Sequence, residues 1–382
     1  MQSVLKTVTG ALAGLAGLSD TTTYHLSSDV VHGLSNVDYI AKDTHFNAPH
    51  MHPVNSSSYD LWYWDAVSTD PSSNASVVIA FFDVAPGTFP IPPLEGTNLI
   101  ATIATTFANG SLTFVSLPAT SATVIAQGQG VNGDWHGTGL HFTYDPASGA
   151  YDVHVDAPEH GVKGVVHFAR NTPPRYTCGP ATAGTNMQIF PGAGYANAMP
   201  DSVVTVDLMV NGTPLKFEGA GYQDQGWGPV PFLTTMRSWY WGHGRVGPYS
   251  VVWFDVMTPD GTEFVSAYAS KGEDVITLSC DPGSTKARPR GDGTTFPPNH
   301  GGPKPSGYDV TLSLGAQGIL HMDVTVVNPI LTFPYYMRAV SYIDGFIVAP
   351  DGTKGEMMGG VAFLEEFTLP ADETKDQKHD EL

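Results

Sequence analysis

An all-β protein of two lobes packed together is the fold this sequence predicts, and three observations predict it. Short β-branched and aromatic runs succeed one another, separated by turn signals at the spacing of sandwiches and barrels. Past residue 20 almost no stretch repeats with helical period. Polar and apolar residues alternate strongly in runs such as Tyr151–Asp156, which leaves one face of each sheet wet.

The elements follow in order. The first lobe, 20–190, takes as strands Leu61–Asp65, Ser76–Val84, Leu99–Phe107, Leu112–Leu117, Ala122–Gln127, Leu140–Tyr144, Tyr151–Val155 and Lys163–Ala169. Asn109-Gly110 turns the third of these into the fourth, and Ser148-Gly149 the sixth into the seventh. The stretch Asn171–Pro200, rich in proline and glycine, reads as the connection between lobes. The second lobe, 200–370, opens on Ser202–Val210 and Leu215–Gly221 around Asn211-Gly212. It continues with Met236–Gly242, Tyr249–Met257, Glu263–Ala269 and Asp274–Cys280. Asp281–Pro305 reads as a long polar loop. Strands resume at Tyr308–Leu314, Ile319–Val327, Ala339–Ile343, Phe346–Ala349 and Val361–Leu369, and 371–382 is a charged tail.

Composition narrows the function. The 382 residues are 41% hydrophobic and only 14% charged, enough for sizeable cores. A net charge of −20 excludes binding to nucleic acid, whose phosphates nothing here would neutralise, and to an anionic membrane. A hydrophobic small molecule remains the compatible partner; the oligomeric state is left open.

Several features point to the secretory pathway, as an ER-lumenal or secreted protein. Thr7–Ser19 within 1–19 has the length and small-residue character of a signal-peptide core and is too short to span a bilayer. The chain stops at His379–Leu382, the HDEL retrieval tetrapeptide. Cys178 and Cys280 are an even pair that such a compartment allows to bridge, the alternative being two buried thiols. Asn55, Asn74, Asn109 and Asn211 head glycosylation sequons, the last two doubling as turn dipeptides.

The familiar catalytic signatures are missing: no nucleophile elbow, no zinc-spaced cysteines or histidines, no phosphate-cradling glycine loop. His45, His50 and His52 cluster, but no carboxylate completes a metal set beside them, so no metal is expected. The densest aromatic and polar concentration is Gly221–Gly228 followed by Ser238–Gly247. Asp224, between Tyr222 and Trp227, is a candidate general acid or base if apolar walls raise its pKa. In an extended strand Trp239 and Trp241 share a face that His243 and Arg245 continue, and Tyr240 points the other way. The bland alternative is an aromatic core in which Asp224 ties down a turn. Tyr336 and Arg338 with Glu365 and Glu366 add a further group, in which pairing of Arg338 with a glutamate is the simplest expectation.

With these residues in hand, the chain resembles the fungal lipocalin-like Diels-Alderases, relatives of the carotenoid-hydratase-like proteins. The likeness runs through Leu61–Ser68 into Ser76–Ile79, through Tyr222, Asp224, Trp227 and Gly228, through Trp239–Tyr249 and through Gly360–Glu366. It implies two lipocalin-like β lobes, a pocket between or inside them, and pericyclic ring closure without metal or organic cofactor. Gln225-Gly226 stands where the hydratase version carries His-Asn, which counts against hydration of that kind. The secretory features resemble the branch that joins a tropolone-derived quinone methide to a humulene-type terpene by an intermolecular hetero-Diels-Alder reaction. The resulting expectation is a catalytic set of Asp224, His243 and Tyr222. Substrate would lie against Trp64, Trp227, Trp239, Tyr240, Trp241, Arg245, Met257, Tyr336 and Arg338. A hydratase or dehydratase of a prenylated or phenolic metabolite, and a non-catalytic carrier of hydrophobic metabolites, are the alternatives.

Overall fold

The computed structural model describes residues 21–42, 46–90, 94 and 96–370. The leader expected at 1–19, the tail ending in HDEL and His45 lie outside the described residues. The strands of the first half are β1 (Thr21–Ser27), β2 (Asn36–Val37), β3 (Met51–His52), β4 (Tyr59–Ser68), β5 (Ser76–Val84), β6 (Leu99–Thr106), β7 (Leu112–Pro118), β8 (Ser121–Gln127), β9 (Gly130–His136), β10 (Leu140–Asp145), β11 (Ala150–Ala157) and β12 (Val162–Arg170). Then come β13 (Arg175–Tyr176), β14 (Gln188–Phe190), β15 (Ala193–Val210) and β16 (Thr213–Gly228). The rest are β17 (Ser238–Val246), β18 (Tyr249–Met257), β19 (Glu263–Lys271), β20 (Asp274–Ser279), β21 (Thr285–Arg290), β22 (Gly307–Ser313), β23 (Ile319–Phe333), β24 (Tyr336–Val348) and β25 (Met358–Thr368). Helix is confined to single 3-10 turns among the described residues, so the all-β expectation holds.

Two antiparallel sheets carry the fold. The first runs β1-β8-β9-β10-β11-β12-β15-β16-β4-β5-β6-β7, and the second β20-β19-β18-β17-β25-β24-β23-β22-β21. Each curls around its own core. Trp62, Trp64, Trp135 and Phe142 fill the first, and Tyr240, Trp253, Tyr308 and Met322 the second. A further cluster, including Tyr63, Tyr195, Trp241 and Phe254, lies where the sheets face each other.

The division between sheets falls later than the sequence suggests. The segment 171–200, expected as a connection, contains β13, β14 and the start of β15, and 200–228, expected in the second lobe, pairs within the first sheet. The reason is the length of β15. Its first ten residues are buried on both faces because they run between the lobes, whereas its last eight alternate buried and exposed. A strand without alternation and with a Pro in it does not read as a strand. Register shifts between Ala196, Met199 and Ser202 bend it at the crossing. Asn211-Gly212 then closes the β15–β16 hairpin with φ of 49° and 78°, as the dipeptide predicts. The polar loop expected at 281–305 is interrupted by β21, which pairs with β22.

Cys178 and Cys280 form a disulfide, 102 residues apart. It ties the β13–β14 connection to the end of β20 and so links the two sheets, worth ~4–5 kcal/mol in the chain-entropy account. Nearby, Arg175 is fully buried at the seam: Nε donates to Asn197 of β15 at 3.1 Å and Nη1 to Ser266 of β19 at 3.3 Å. Of the sequon asparagines, Asn109 and Asn211 are exposed at hairpin tips, whereas Asn55 and Asn74 are half-buried.

Candidate active site

Strand alternation decides which residues meet between the sheets. From β4, Tyr59, Leu61 and Tyr63 face the second sheet, while Trp62 and Trp64 face the first core. From β17, Trp239 and Trp241 face back across the seam, while Tyr240 turns into the second core. The walls do not meet fully. They enclose a cavity of about 370 Å³, mostly apolar, within the size range of small-molecule sites. Phe114 of β7 and Phe333 of β23 line it and are also 46% and 42% exposed, which places its mouth between them. Gly226 lines it too, and a Cβ there would meet open space.

Few polar groups reach this space, and Asp224 of β16 is foremost. It is 9% exposed and accepts the Tyr222 hydroxyl on Oδ2 at 3.0 Å. The Tyr222 hydroxyl is in turn hydrogen-bonded to that of Tyr195. Burial, reinforced by the negative charges of Glu365 and Asp65, holds the Asp224 carboxyl well above the usual carboxylate range. Its hydrogen bond with Tyr195 and the positive charge of Arg175 work in the opposite direction without cancelling this. Burial thus favours the protonated form of Asp224 over a wider pH range than for an exposed carboxyl.

His243 and Asp65 lie directly behind it. His243 Nε2 donates to the Asp65 carboxylate at 2.8 Å, both side chains are closed to solvent, and the imidazole stacks on Tyr222 at 4.3 Å. On the opposite wall Arg338 donates to Glu365 through Nε at 2.7 Å and through Nη2, and the Tyr336 hydroxyl donates to the same carboxylate at 2.8 Å. Burial opposes the charge on Arg338, but Tyr336, Glu365 and Tyr63 outweigh it and hold the guanidinium protonated.

Of the residues singled out from sequence, Asp224, Trp239, Trp241, Tyr336 and Arg338 line the cavity. Tyr222 bonds Asp224 and His243 stacks on Tyr222, and neither lines the cavity. The other substrate-contact expectations are corrected by the geometry. Trp64 packs on Phe142 at 4.6 Å inside the first core. Trp227 turns to the far side of β16, stacked on His50 at 4.0 Å. Tyr240 packs on Tyr308 in the second core. Arg245 is tied to Asp201, and Met257 is buried at the end of β18 beside Ser238. Residue type located the aromatic strands, but pairing partners decide which face is core. Sequence pattern does not single out Tyr63, Tyr195 or Glu365 as cavity residues: Tyr63 stands between two tryptophans, and Glu365 is there only a partner for Arg338.

The histidine cluster holds no metal arrangement among the described residues. His50 is buried, its pKa pulled down to about 4 by desolvation, and Nε2 contacts the Phe46 carbonyl at 3.2 Å.

The profile of the Diels-Alderase-like family matches residues 22–326. The chain belongs to that family. It is 36% identical over 337 residues to the quinolone epoxide rearrangement protein asqO of Emericella nidulans, covering 88% of this chain and 90% of that one. It is 34% identical over 363 residues to the quinolone epoxide rearrangement protein penF of Penicillium thymicola, covering 92% and 98%. The Diels-Alderase cheD of Chaetomium globosum is more distant, 23% identical over 340 residues, covering 85% and 75%. Among solved structures, CghA with Sch210972 superposes with a TM-score of 0.73 at 16% identity, covering 92% of this chain and 99% of that one, which shows a shared fold. No helix among the described residues is long and apolar enough to cross a membrane.

Proposed function

We propose that this member of the Diels-Alderase-like family is an isomerase that rearranges an epoxide on a flat, hydrophobic, oxygenated small molecule, with Asp224 as the acid. The observation that carries the reading is Asp224 itself: a buried carboxyl in the wall of a largely aromatic cavity, held by the Tyr222 hydroxyl, with burial raising its pKa. The likeness to the two quinolone epoxide rearrangement proteins supports it. Asp224 passes its proton to the epoxide oxygen as one ring C–O bond breaks. A neighbouring hydrogen or carbon group then moves with its electron pair to the electron-poor carbon. As the C=O bond forms, the proton on oxygen returns to Asp224, so substrate and product are isomers and the enzyme is restored. Trp239, Trp241 and Tyr63 line the cavity, and a ring turned face-on would stabilise the cationic carbon, while exclusion of water guards it from hydrolysis.

Replacing Asp224 by Asn keeps the shape and removes the proton; kcat should fall roughly 10²–10⁴-fold. The wild-type rate should hold while the carboxyl is protonated and decline as pH rises through its raised pKa. An Asp224→Asn enzyme that keeps its rate would end this reading.

A second reading is favoured by the apolar breadth of the cavity and by the relatives named Diels-Alderases. In it two partners, a tropolone quinone methide and a humulene-type terpene, are held for a hetero-Diels-Alder cycloaddition whose entropic barrier positioning lowers. Asp224 would then donate a hydrogen bond to the quinone methide carbonyl. Saturation by two separate substrates indicates this reaction, and saturation by one the rearrangement. The secretory assignment belongs here as well: the Cys178–Cys280 disulfide and exposed Asn109 and Asn211 are compatible with it, and mass spectrometry of glycans and of the mature N-terminus tests it.

A further inference from the structure

The Arg338–Glu365 pair is built in a way that an ion pair serving stability alone does not require. All of the protein donors converge on one carboxylate oxygen: Arg338 Nε, Arg338 Nη2 and the Tyr336 hydroxyl all bond Glu365 Oε1. The bonds between them leave Glu365 Oε2 and Arg338 Nη1 free among the described residues. Both residues line the cavity, and their side chains remain 13% and 18% exposed. The guanidinium is held in place by the rings of Tyr63 and Tyr336, at 5.3 and 5.7 Å from their centroids. The cavity thus carries a fixed N–H donor beside a fixed carboxylate acceptor, on a wall whose charge Asp224 feels.

We propose that Arg338 and Glu365 form a paired anchor for a ring edge that presents a carbonyl next to an N–H or O–H, as in a cyclic lactam or an α-hydroxy enone. The carbonyl accepts from Nη1, the N–H or O–H donates to Oε2, and both bonds are charge-assisted. A planar fork suits such an edge and a lysine does not. The anchor rests on the reading of this cavity as the reaction site. It fixes one end of the substrate so that the reacting carbon framework extends towards Asp224.

Isothermal titration calorimetry with paired probes tests it. One pair is 4-phenylquinolin-2(1H)-one and its N-methyl analogue; the other is tropolone and its O-methyl ether; 1-phenylnaphthalene reports apolar affinity alone. The wild-type protein should bind the N–H or O–H member of at least one pair roughly tenfold or more tightly than its methylated form, because a methylated ring covers the carboxylate oxygen without donating to it. The pair that shows the preference identifies which ring is recognised. The double variant Arg338→Met with Glu365→Leu, an apolar replacement that buried ion pairs tolerate, should lose the preference and keep its affinity for 1-phenylnaphthalene. Equal binding within both pairs, or a preference that survives in the double variant, overturns the anchor. The outcome is separable from the acid role: Asp224→Asn should keep the binding preference whatever it does to turnover.

Discussion

Two strands of this protein carry the same three-residue word and use it in opposite senses. In β4, Trp62-Tyr63-Trp64 sends its tryptophans into the closed core of the first sheet and its tyrosine to the cavity. In β17, Trp239-Tyr240-Trp241 sends its tryptophans to the cavity and its tyrosine into the core of the second sheet. The strands meet at the seam, with Tyr63 edge-on to Trp241 at 5.8 Å and Asp65 bonded to His243 two residues further along each. Period-two alternation fixes which residues share a face but not which face is core. One register step would exchange a cavity wall for a core face.

The most forceful way to break the comparison is to truncate one tryptophan on each strand. Trp62 is wholly buried, donates to the Asn47 carbonyl at 2.9 Å and meets Trp135 edge-on. Trp62→Ala should cost ~3–5 kcal/mol in urea unfolding. Trp241→Ala only widens an existing cavity, so it should cost clearly less stability while lowering kcat/KM by about 100-fold through loosened substrate placement. Equal stability losses would show that the two faces are energetically alike.

The bridge between the strands comes next. His243→Ala leaves the Asp65 carboxylate buried without its partner and removes the ring stacked on Tyr222. The expected loss is about 3 kcal/mol, accompanied by a fall in kcat because Tyr222 no longer holds Asp224. A variant that unfolds more easily yet turns over normally would make the pair purely structural.

This comparison also explains what was legible in the sequence. The strands, the Asn109-Gly110 and Asn211-Gly212 hairpins and the shared face of Trp239 and Trp241 follow from local pattern, and local pattern is enough for them. Asp224 stands out in the sequence because a carboxylate amid aromatics on an apolar strand is unusual. Trp64, Trp227 and Tyr240 were misplaced because facing depends on pairing partners far away in sequence, such as Gln223 opposite Trp64. The β15 segment is illegible as a strand because burial on both faces erases alternation. Arg175, fixed by residues of both sheets, had no local signature at all.

Acidity distinguishes the faces of β4 as well. Asp60, on the same side as Trp62, accepts the backbone N–H groups of His50 and Met51 and the amide of Gln225, at 2.7–2.9 Å. Burial still pushes its carboxyl up to about 7. The folded protein therefore holds a proton that the unfolded chain, at roughly 4, releases. The stability from that proton is complete below roughly pH 4 and is lost as pH climbs towards 7. Asp60→Asn should flatten this part of the profile, checked by urea midpoints on either side of it. An unchanged slope would assign the acid-side stability to other carboxyls.

The smallest effect is the sharpest test of which side each tyrosine serves. The hydroxyls of Tyr63 and Tyr240 are both buried without a partner among the described residues. A buried unpaired hydroxyl costs free energy, so Tyr→Phe at either position should be neutral or stabilising by about 1 kcal/mol. The two should differ in turnover. At Tyr240 the ring packs on Tyr308 and Phe296, away from the cavity, and kcat/KM should not change. At Tyr63 the ring lies under Arg338, in the cavity wall, and its hydroxyl sits in the field of Asp65, Arg338 and Glu365. Tyr63→Phe should therefore shift KM several-fold without loss of stability. If Tyr240→Phe moved KM and Tyr63→Phe did not, the cavity side of the pair would be assigned wrongly, and the tryptophans that alternate with them would change roles too.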